Sequence, residues 1–373
     1  MSRIAYFISP HGFGHAARAA AIMSAIRDRD PDMGFDIVTR VPTWFFEDSL
    51  HGGFAYHDVC TDLGLVQQSA LSADLAASLR RLDAFLPFDV TEIADLAARL
   101  DACQLVVCDI APMGIVVAQQ LGVPSILVEN FTWDWIYRPY VEAYPGFSRH
   151  IDYLASLFAA DYHVQTDPIC DPRACDLTTQ PISRRPTTLP IRTREQLQLN
   201  TSIDAPIVLL TMGGIPETYP FVQQLNDRFP DMAFVIPSGG DERQWVGNVQ
   251  LLPSHSEFFH PDLVQACDAV VGKAGYSTVA EVYAAGVPFG YILRESFREA
   301  ETLARFIREQ MHGIAVPKSA FQNGEWLDLI PALLRLTTVQ RQAPNGADQV
   351  AQFICQLVAD KLGEGLPHHP SVR

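Results

Sequence analysis

The chain has 373 residues, 48% of them hydrophobic, and a formal net charge of −16. That is length enough for two ordinary domains and a sizeable core, and an acidic balance that argues against nucleic acid, whose phosphates need a basic surface. The seven cysteines are scattered; Cys170 and Cys175 come nearest to a framework, no His or Cys cluster beside them completes a zinc site, and a reducing, cytoplasmic compartment is expected. Ile4–Ser9 is too short an apolar run for a signal or spanning helix, so membrane association is not expected either.

Ile4–Ser9 reads as a buried first strand, followed by a glycine turn and an Ala-rich helix over His15–Arg27. Phe35–Thr39 is a second strand. Gln67–Leu100 reads as a long helical stretch interrupted at Pro87. Then come a strand over Leu105–Cys108 stopping at Asp109, a helix over Pro112–Leu121, and strands over Ile126–Glu129 and Ala160–Gln165. Pro181–Pro190, with Arg184 and Arg185, has no apolar period and reads as a connection between domains. After a short helix near Glu195, Pro206–Gly214 begins the same grammar again: strand, glycine turn, helix. Phe234–Pro237 and Val249–Leu252 are further strands, Phe289–Leu293 another. Ala347–Leu362 is a last apolar helix, and Gly363–Arg373 a frayed tail. Strands alternating with helices of this length indicate two parallel, doubly wound sheets, with ligands at the carboxyl ends of the strands.

The richest stretch is Ala269–Pro288. It reads as a buried strand (Ala269–Val271), a glycine turn (Gly272–Gly275) and a helix starting near Ser277 that Gly286 and Pro288 close. Glycines at such a turn let backbone N–H groups approach a ligand, and the helix N-terminus behind them suits a phosphate. Ser277 and Thr278 add hydroxyls, as caps or phosphate ligands. Glu281, one turn on, is placed to accept hydrogen bonds from a ribose diol. A second glycine loop, Ser9–Ala17, follows the first strand. Gly12, Gly14 and Ala17 match G-x-G-x-x-A, so a dinucleotide site has to be weighed. The acid that such a site wants after the second strand is replaced by Thr39-Arg40, which leaves only a 2′-phosphate cofactor open, and Pro10 and His11 intervene before the first glycine.

The pattern Gly275-Tyr-Ser277-Thr278-x-x-Glu281 with Ala284-Ala-Gly-Val-Pro288 resembles the donor motif of GT-B glycosyltransferases of the kind that adds N-acetylglucosamine to lipid-linked muropeptide. The chain is more similar still to the glycosyltransferase-like N-terminal region of plant L-arabinokinases. That region shares the His11-Gly-Phe-Gly-His-Ala16 loop and the Asn130-Phe-x-Trp-Asp134 segment, and a Phe297-x-Glu299 stretch follows its donor motif. The resemblance spans nearly the whole chain. It implies a GT-B fold, two Rossmann-like halves facing a cleft: residues 1–185 for the acceptor, 186–345 for the donor, and a C-terminal helix in 346–373 that packs back on the first half. The implied substrates are a nucleoside-diphosphate sugar, UDP-sugar favoured, and a small-molecule or glycan acceptor. No cofactor is implied, and no metal, which GT-B chemistry does not usually need.

In that reading Gly14, Gly213, Gly214, Gly275, Ser277 and Thr278 surround the diphosphate, Lys273 and Arg294 neutralise it, Glu281 holds the ribose, and His255 lies where the nucleobase is read. Glu299 and Glu301 stand where the family holds donor-sugar hydroxyls, although Ala300 replaces an expected amide. His15 opens the first helix as a candidate general base, with His11 its rival on the same loop and a contact for the acceptor. Asp109 either orients His15 or caps the following helix. Trp133 and Asp134 line an acceptor pocket or belong to the core. Trp44-Phe45-Phe46 is either a lipid-facing patch or core. Transfer to an acceptor, hydrolysis of the nucleotide sugar, and binding without turnover all remain open, as does the oligomeric state.

Overall fold

The computed structural model describes residues 2–214, 217 and 219–363. Two seven-stranded sheets make up the fold. From one edge to the other the first sheet runs Ala55–Asp58, Gly34–Thr39, Arg3–Ile8, Leu105–Asp109, Ser125–Glu129, Tyr162–Thr166 and Leu177–Thr179, with every pair parallel. The second runs Gln244–Val246, Val249–Leu251, Ala233–Ile236, Ile207–Thr211, Ala269–Lys273, Phe289–Ile292 and Gly313–Ala315. Only its Gln244–Val246 edge is antiparallel. The central strands are continuous apolar runs, buried along their length, as strands covered on both faces by helices must be.

In each sheet the strand order reverses beside the first strand of its half, between Arg3–Ile8 and Leu105–Asp109 and between Ile207–Thr211 and Ala269–Lys273. Loops leaving such a pair diverge to opposite faces and open a crevice at the carboxyl ends. The helix Gly14–Arg29 leaves the first crevice. Ala16, Ala17, Ala19, Ala20 and Ala21 are buried, because the helix is enclosed by its own sheet, by Gly346–Gly363 and by Tyr276–Ala285. Short side chains let these elements approach closely along the buried first turns of the helix, while its last turn, with Asp28 and Arg29, is exposed. Ala347, Val350, Ala351 and Ile354 of the last helix share the first sheet's core.

Several expectations need correction. Gln67–Leu100 is not helical throughout: Val66–Ser69 and Ser72–Asp74 form an antiparallel hairpin before helices Leu75–Phe85 and Val90–Arg99. Asp74 caps the first of these through Ala77 N, and so sets a start that hydropathy alone does not mark. Gly272 and Lys273 belong to the strand and not to the turn. A Cβ on Gly272 would stand 2.0 Å from the Thr211 carbonyl oxygen, so glycine is there for close strand packing. Among the described residues, the first helix after the second half's first glycine turn begins at Val222. Pro190 opens the helix Pro190–Leu197 instead of ending the connection. The expected tail beyond Gly363 lies outside the described residues. All seven cysteines are free thiols, Cys170 and Cys175 included.

Candidate functional site

The two crevices face each other. Helices Gly14–Arg29 and Tyr276–Ala285 both point their N-termini into the gap, and neither N-cap residue, Phe13 or Gly275, supplies a side-chain cap. Two sets of orphan N–H donors and two positive helix ends thus meet in one cleft, as an anion site requires. Ser277 and Thr278 lie inside the helix and do not cap it; both line the cleft. The loops touch closely. A Cβ on Gly14 would come to 3.7 Å from Ser277 Oγ, and one on Gly214 would come to 2.2 Å from the Phe13 ring. Gly213 and Gly214 also hold φ of +72° and +76°, conformations that favour glycine.

One end of the cleft is bounded by His11, His15, Arg18, Lys273, Arg294 and Glu299. His15 Nδ1 lies 2.8 Å from Asp109 Oδ1. A carboxylate there accepts a hydrogen bond from Nδ1–H, which keeps the proton on Nδ1 and leaves the Nε2 lone pair available. Asp109 therefore partners His15, and the helix beginning at Pro112 starts after Ala111 without a side-chain cap. Arg18 completes the arrangement: Nε donates to Asp109 Oδ2 at 2.7 Å, Nη2 to Oδ1 at 2.6 Å and Nη1 to Asn130 Oδ1 at 2.7 Å. Burial opposes the charge on Asp109, but Arg18 and the His15 hydrogen bond outweigh it and hold the carboxyl below its ordinary range. Asn130 Nδ2 in turn donates to Glu299 Oε1 at 2.8 Å. Burial raises the Glu299 carboxyl against that bond and against nearby Arg294. A single polar chain thus runs from the histidine of one half to the glutamate of the other. Glu301, on the same helix as Glu299, is exposed.

His11 is placed differently. Gln67, with its amide oxygen toward the donors, accepts from His11 Nε2 at 3.0 Å and from Arg294 Nη2 at 3.2 Å. The other ring nitrogen faces Gly64, where a Cβ would meet it at 2.6 Å. Burial, Arg294, His15 and Lys273 all push the imidazole well below its usual range. Of the two loop histidines, His15 is the one with a free lone pair backed by a carboxylate. Lys273, buried at its strand end, is lowered to about 7 by burial and by Arg294, with Glu299 acting the other way.

The other end of the cleft is an aromatic cavity lined by Phe13, Trp44, Phe45, Phe258 and Phe259, with Thr278 and Glu281 at its inner wall. Glu281 is buried and held on both oxygens, Oε1 by Arg184 Nε at 3.0 Å and Oε2 by His260 Nδ1 at 2.7 Å. His255 is an exposed rim residue, stacked on Trp44 across the gap with ring centroids 4.4 Å apart; its neighbours Ser254 and Ser256 line the cavity. Phe45 and Phe46 are buried core and not a lipid-facing patch. Trp133, 1% exposed, stands behind the histidines, edge-on to His11 at 5.2 Å and tilted to His15 at 6.4 Å. Asp134 is buried and paired with Arg138 at 2.9 Å. The structure thus puts both in the wall behind the cleft rather than on its surface. Arg40, the residue for a dinucleotide 2′-phosphate, is exposed with Asp58 3.8 Å away. Among the described residues no group of three His, Cys, Asp or Glu is placed to hold a metal ion, and no helix is long and apolar enough to cross a membrane.

Sequence reading missed Arg18, Arg184 and His260. Arg18 had a signal, the one Arg, Lys, Asp or Glu in the Ala-rich stretch before Arg27, three residues after His15 and so on the same face. The other two had none, because their partner Glu281 lies 97 and 21 residues away.

No family model matches the chain. It is 25% identical over 366 residues to L-arabinokinase of Arabidopsis thaliana, a match covering 94% of this chain and 34% of the relative; the chain spans about a third of that protein's length. Among solved structures it is similar to CalG4, the calicheamicin glycosyltransferase (TM-score 0.63, 15% identity, 98% of this chain and 100% of that one). A UDP-glucosyltransferase from Polygonum tinctorium aligns with TM-score 0.57 at 13% identity, over 98% of this chain and 95% of that one. MurG of Acinetobacter baumannii gives TM-score 0.53 at 16% identity, over 95% of this chain and 100% of that one. The chain therefore has the GT-B glycosyltransferase fold and is a distant relative of a segment of plant L-arabinokinase.

Proposed function

We propose that the protein is a glycosyltransferase that moves a sugar from a nucleoside-diphosphate sugar, UDP-sugar favoured, to an acceptor hydroxyl. Residues 1–185 hold the acceptor, 186–345 the donor, and the helix within 346–373 braces the first half. The observation that carries the reading is the His15–Asp109 pair at 2.8 Å, directly across the cleft from the uncapped helix N-terminus behind Gly275. The diphosphate lies between the two helix ends, contacted by Gly14, Gly213, Gly214, Gly275, Ser277 and Thr278. The ribose is at Glu281 and the base in the aromatic cavity beside His255. Glu299 holds the transferred sugar, and His11 contacts the acceptor against the wall that Trp133 and Asp134 build.

In the mechanism, His15 Nε2 takes the proton of the acceptor hydroxyl while its oxygen attacks the anomeric carbon, and the bond to the diphosphate breaks on the opposite face, inverting the centre. Asp109 keeps the ring oriented and stabilises the imidazolium. Lys273, Arg294 and the helix ends stabilise the charge growing on the departing diphosphate, so no metal is required. Supporting this reading are the fold, the donor motif and the names of the structural neighbours, which include UDP-glucosyltransferase and a glycosyltransferase, VinC, in complex with dTDP.

The test is a panel of UDP, GDP, dTDP, ADP and NADP in thermal unfolding, followed by product analysis of the matching nucleotide sugar with and without candidate acceptors. A shift with one nucleoside diphosphate and turnover that His15→Ala abolishes is expected. A shift with NADP alone would overturn the reading, and turnover to free sugar regardless of acceptor would make the enzyme a hydrolase. A binding module without turnover is the second reading, favoured by the similarity to one segment of a protein named for kinase activity.

A further inference from the structure

Arg184 comes from the connection between the two sheets, between the strand Leu177–Thr179 and the helix Pro190–Leu197. Its guanidinium lies between Phe45 of the first half, 4.7 Å from the ring centroid, and Phe259 of the second, at 4.9 Å. Its side chain is 9% exposed and reaches the inner wall of the aromatic cavity, where Nε meets Glu281. His260 holds the second carboxylate oxygen, and its other nitrogen is 3.3 Å from Thr211 Oγ1. A carboxylate offers about four acceptor positions. Among the described residues two are occupied, one on each oxygen, which leaves one on each oxygen of a group that lines the cavity. Paired, fixed acceptors of this kind match the two adjacent hydroxyls of a cis-diol. Neither anchor is near Glu281 in sequence, so its orientation is set only when the connection is folded between the halves.

We propose that Arg184 is a positioning residue for donor recognition: with His260 it fixes the Glu281 carboxylate to receive a ribose 2′,3′-diol, so the site selects a ribonucleoside diphosphate over its 2′-deoxy counterpart. The proposal rests on the reading of this cavity as the nucleoside site. A missing 2′-hydroxyl leaves an acceptor position of a buried, ionised carboxylate unpaired, and sites built around a hydroxyl discriminate strongly against its absence.

The experiment is calorimetric titration of the full chain with UDP, GDP and ADP, then of whichever binds against its 2′-deoxy analogue, in wild type and Arg184→Met. Wild type is expected to prefer the ribonucleotide by about tenfold or more. In Arg184→Met that ratio should fall to about threefold or less, because a freed carboxylate no longer presents both acceptors. Equal binding of the two nucleotides by wild type overturns the proposal while leaving the nucleotide site standing. So does an Arg184→Met variant that weakens both nucleotides alike with the ratio intact, since that is a merely structural effect. Should Arg184→Met not fold, His260→Gln disturbs the other anchor and takes its place: a collapsed ratio supports the proposal and an intact one overturns it. Failure of every diphosphate to bind removes the nucleoside site itself, and this proposal with it.

Discussion

Arg18→Met should be the most costly single change in the cleft. It removes three short hydrogen bonds, at 2.7, 2.6 and 2.7 Å, and a cation lying 4.7 Å from the Tyr276 ring centroid. Asp109, 0% exposed, would keep His15 as its remaining side-chain partner. Breaking a buried pair from one side costs about 3–5 kcal/mol, since the other charge stays buried and uncompensated. At a urea slope of about 2–3 kcal/mol per molar, the midpoint should drop by about 1–2.5 M. The assay is urea unfolding of wild type, Arg18→Met, Asp109→Asn and the double variant. The two sites share partners, so the cycle should show a coupling of at least about 2 kcal/mol. The pH dependence has a definite sign. Asp109 is held below its ordinary range, so its contribution is complete above the unfolded carboxylate pKa and is lost as pH falls through the folded value. Acidification should therefore erase much of the gap between wild type and Arg18→Met. A single-variant cost under about 1 kcal/mol, or additive single effects, would refute a structural ion pair behind the histidine.

Three further outcomes follow from individual contacts. His15→Ala should lower kcat by about 10²–10⁴ while leaving the affinity for nucleoside diphosphate unchanged; a parallel loss of binding would make His15 a donor contact instead. Lys273 titrates near about 7 in the free protein, so at pH 8 it is mostly neutral and a bound diphosphate should draw in close to ~1 proton. Titration calorimetry in two buffers of different ionisation heat should show that uptake at pH 8, where the diphosphate itself is fully ionised, with affinity falling as pH rises past 7; Lys273→Met should abolish the uptake at pH 8. Gly272→Ala places a Cβ 2.0 Å from a backbone oxygen of the neighbouring central strand, where nothing flexible can yield. A loss of about 3 kcal/mol or more in urea unfolding is expected, and a near-neutral effect would mean that the two strands separate easily.

Much of the fold was legible because it obeys local rules. The helix Pro112–Leu121 opens with proline and closes on Gly122 in the left-handed region, both of which show in the letters. The central strands show as apolar runs, and the glycine turns as punctuation. Gln67–Asp74 was misread because its alternation is weak and its hairpin is fixed by tertiary contacts, including Gln67 to His11 and Arg294. The edge strands Gln244–Val246 and Gly313–Ala315 are three residues each, too short for any period to register.

The site divides along the same line. Candidate positions set by the backbone or by a loop, such as Gly213, Gly275 and His15, are readable, since a glycine turn or a helix start is a local event. Residues that act through a distant partner are not. Asp109 suits two roles in the sequence, because the residues that hold it, Arg18 and His15, lie 91 and 94 residues away. Glu281 was readable as an acid one turn into the helix Tyr276–Ala285, but its pairing with Arg184 across 97 residues was not. Trp133 and Asp134 went the other way, since an aromatic–acid pair at a strand end reads as a binding surface. The strand Ser125–Glu129 leads into a short buried helix, Trp133–Tyr137, whose rings pack against Phe131 and Phe147. That packing makes Trp133 a rigid backing for the imidazoles. On the proposed mechanism the histidine must meet an acceptor in one orientation and depends on such a wall, so the part of the motif buried behind the cleft bears on the proposed chemistry.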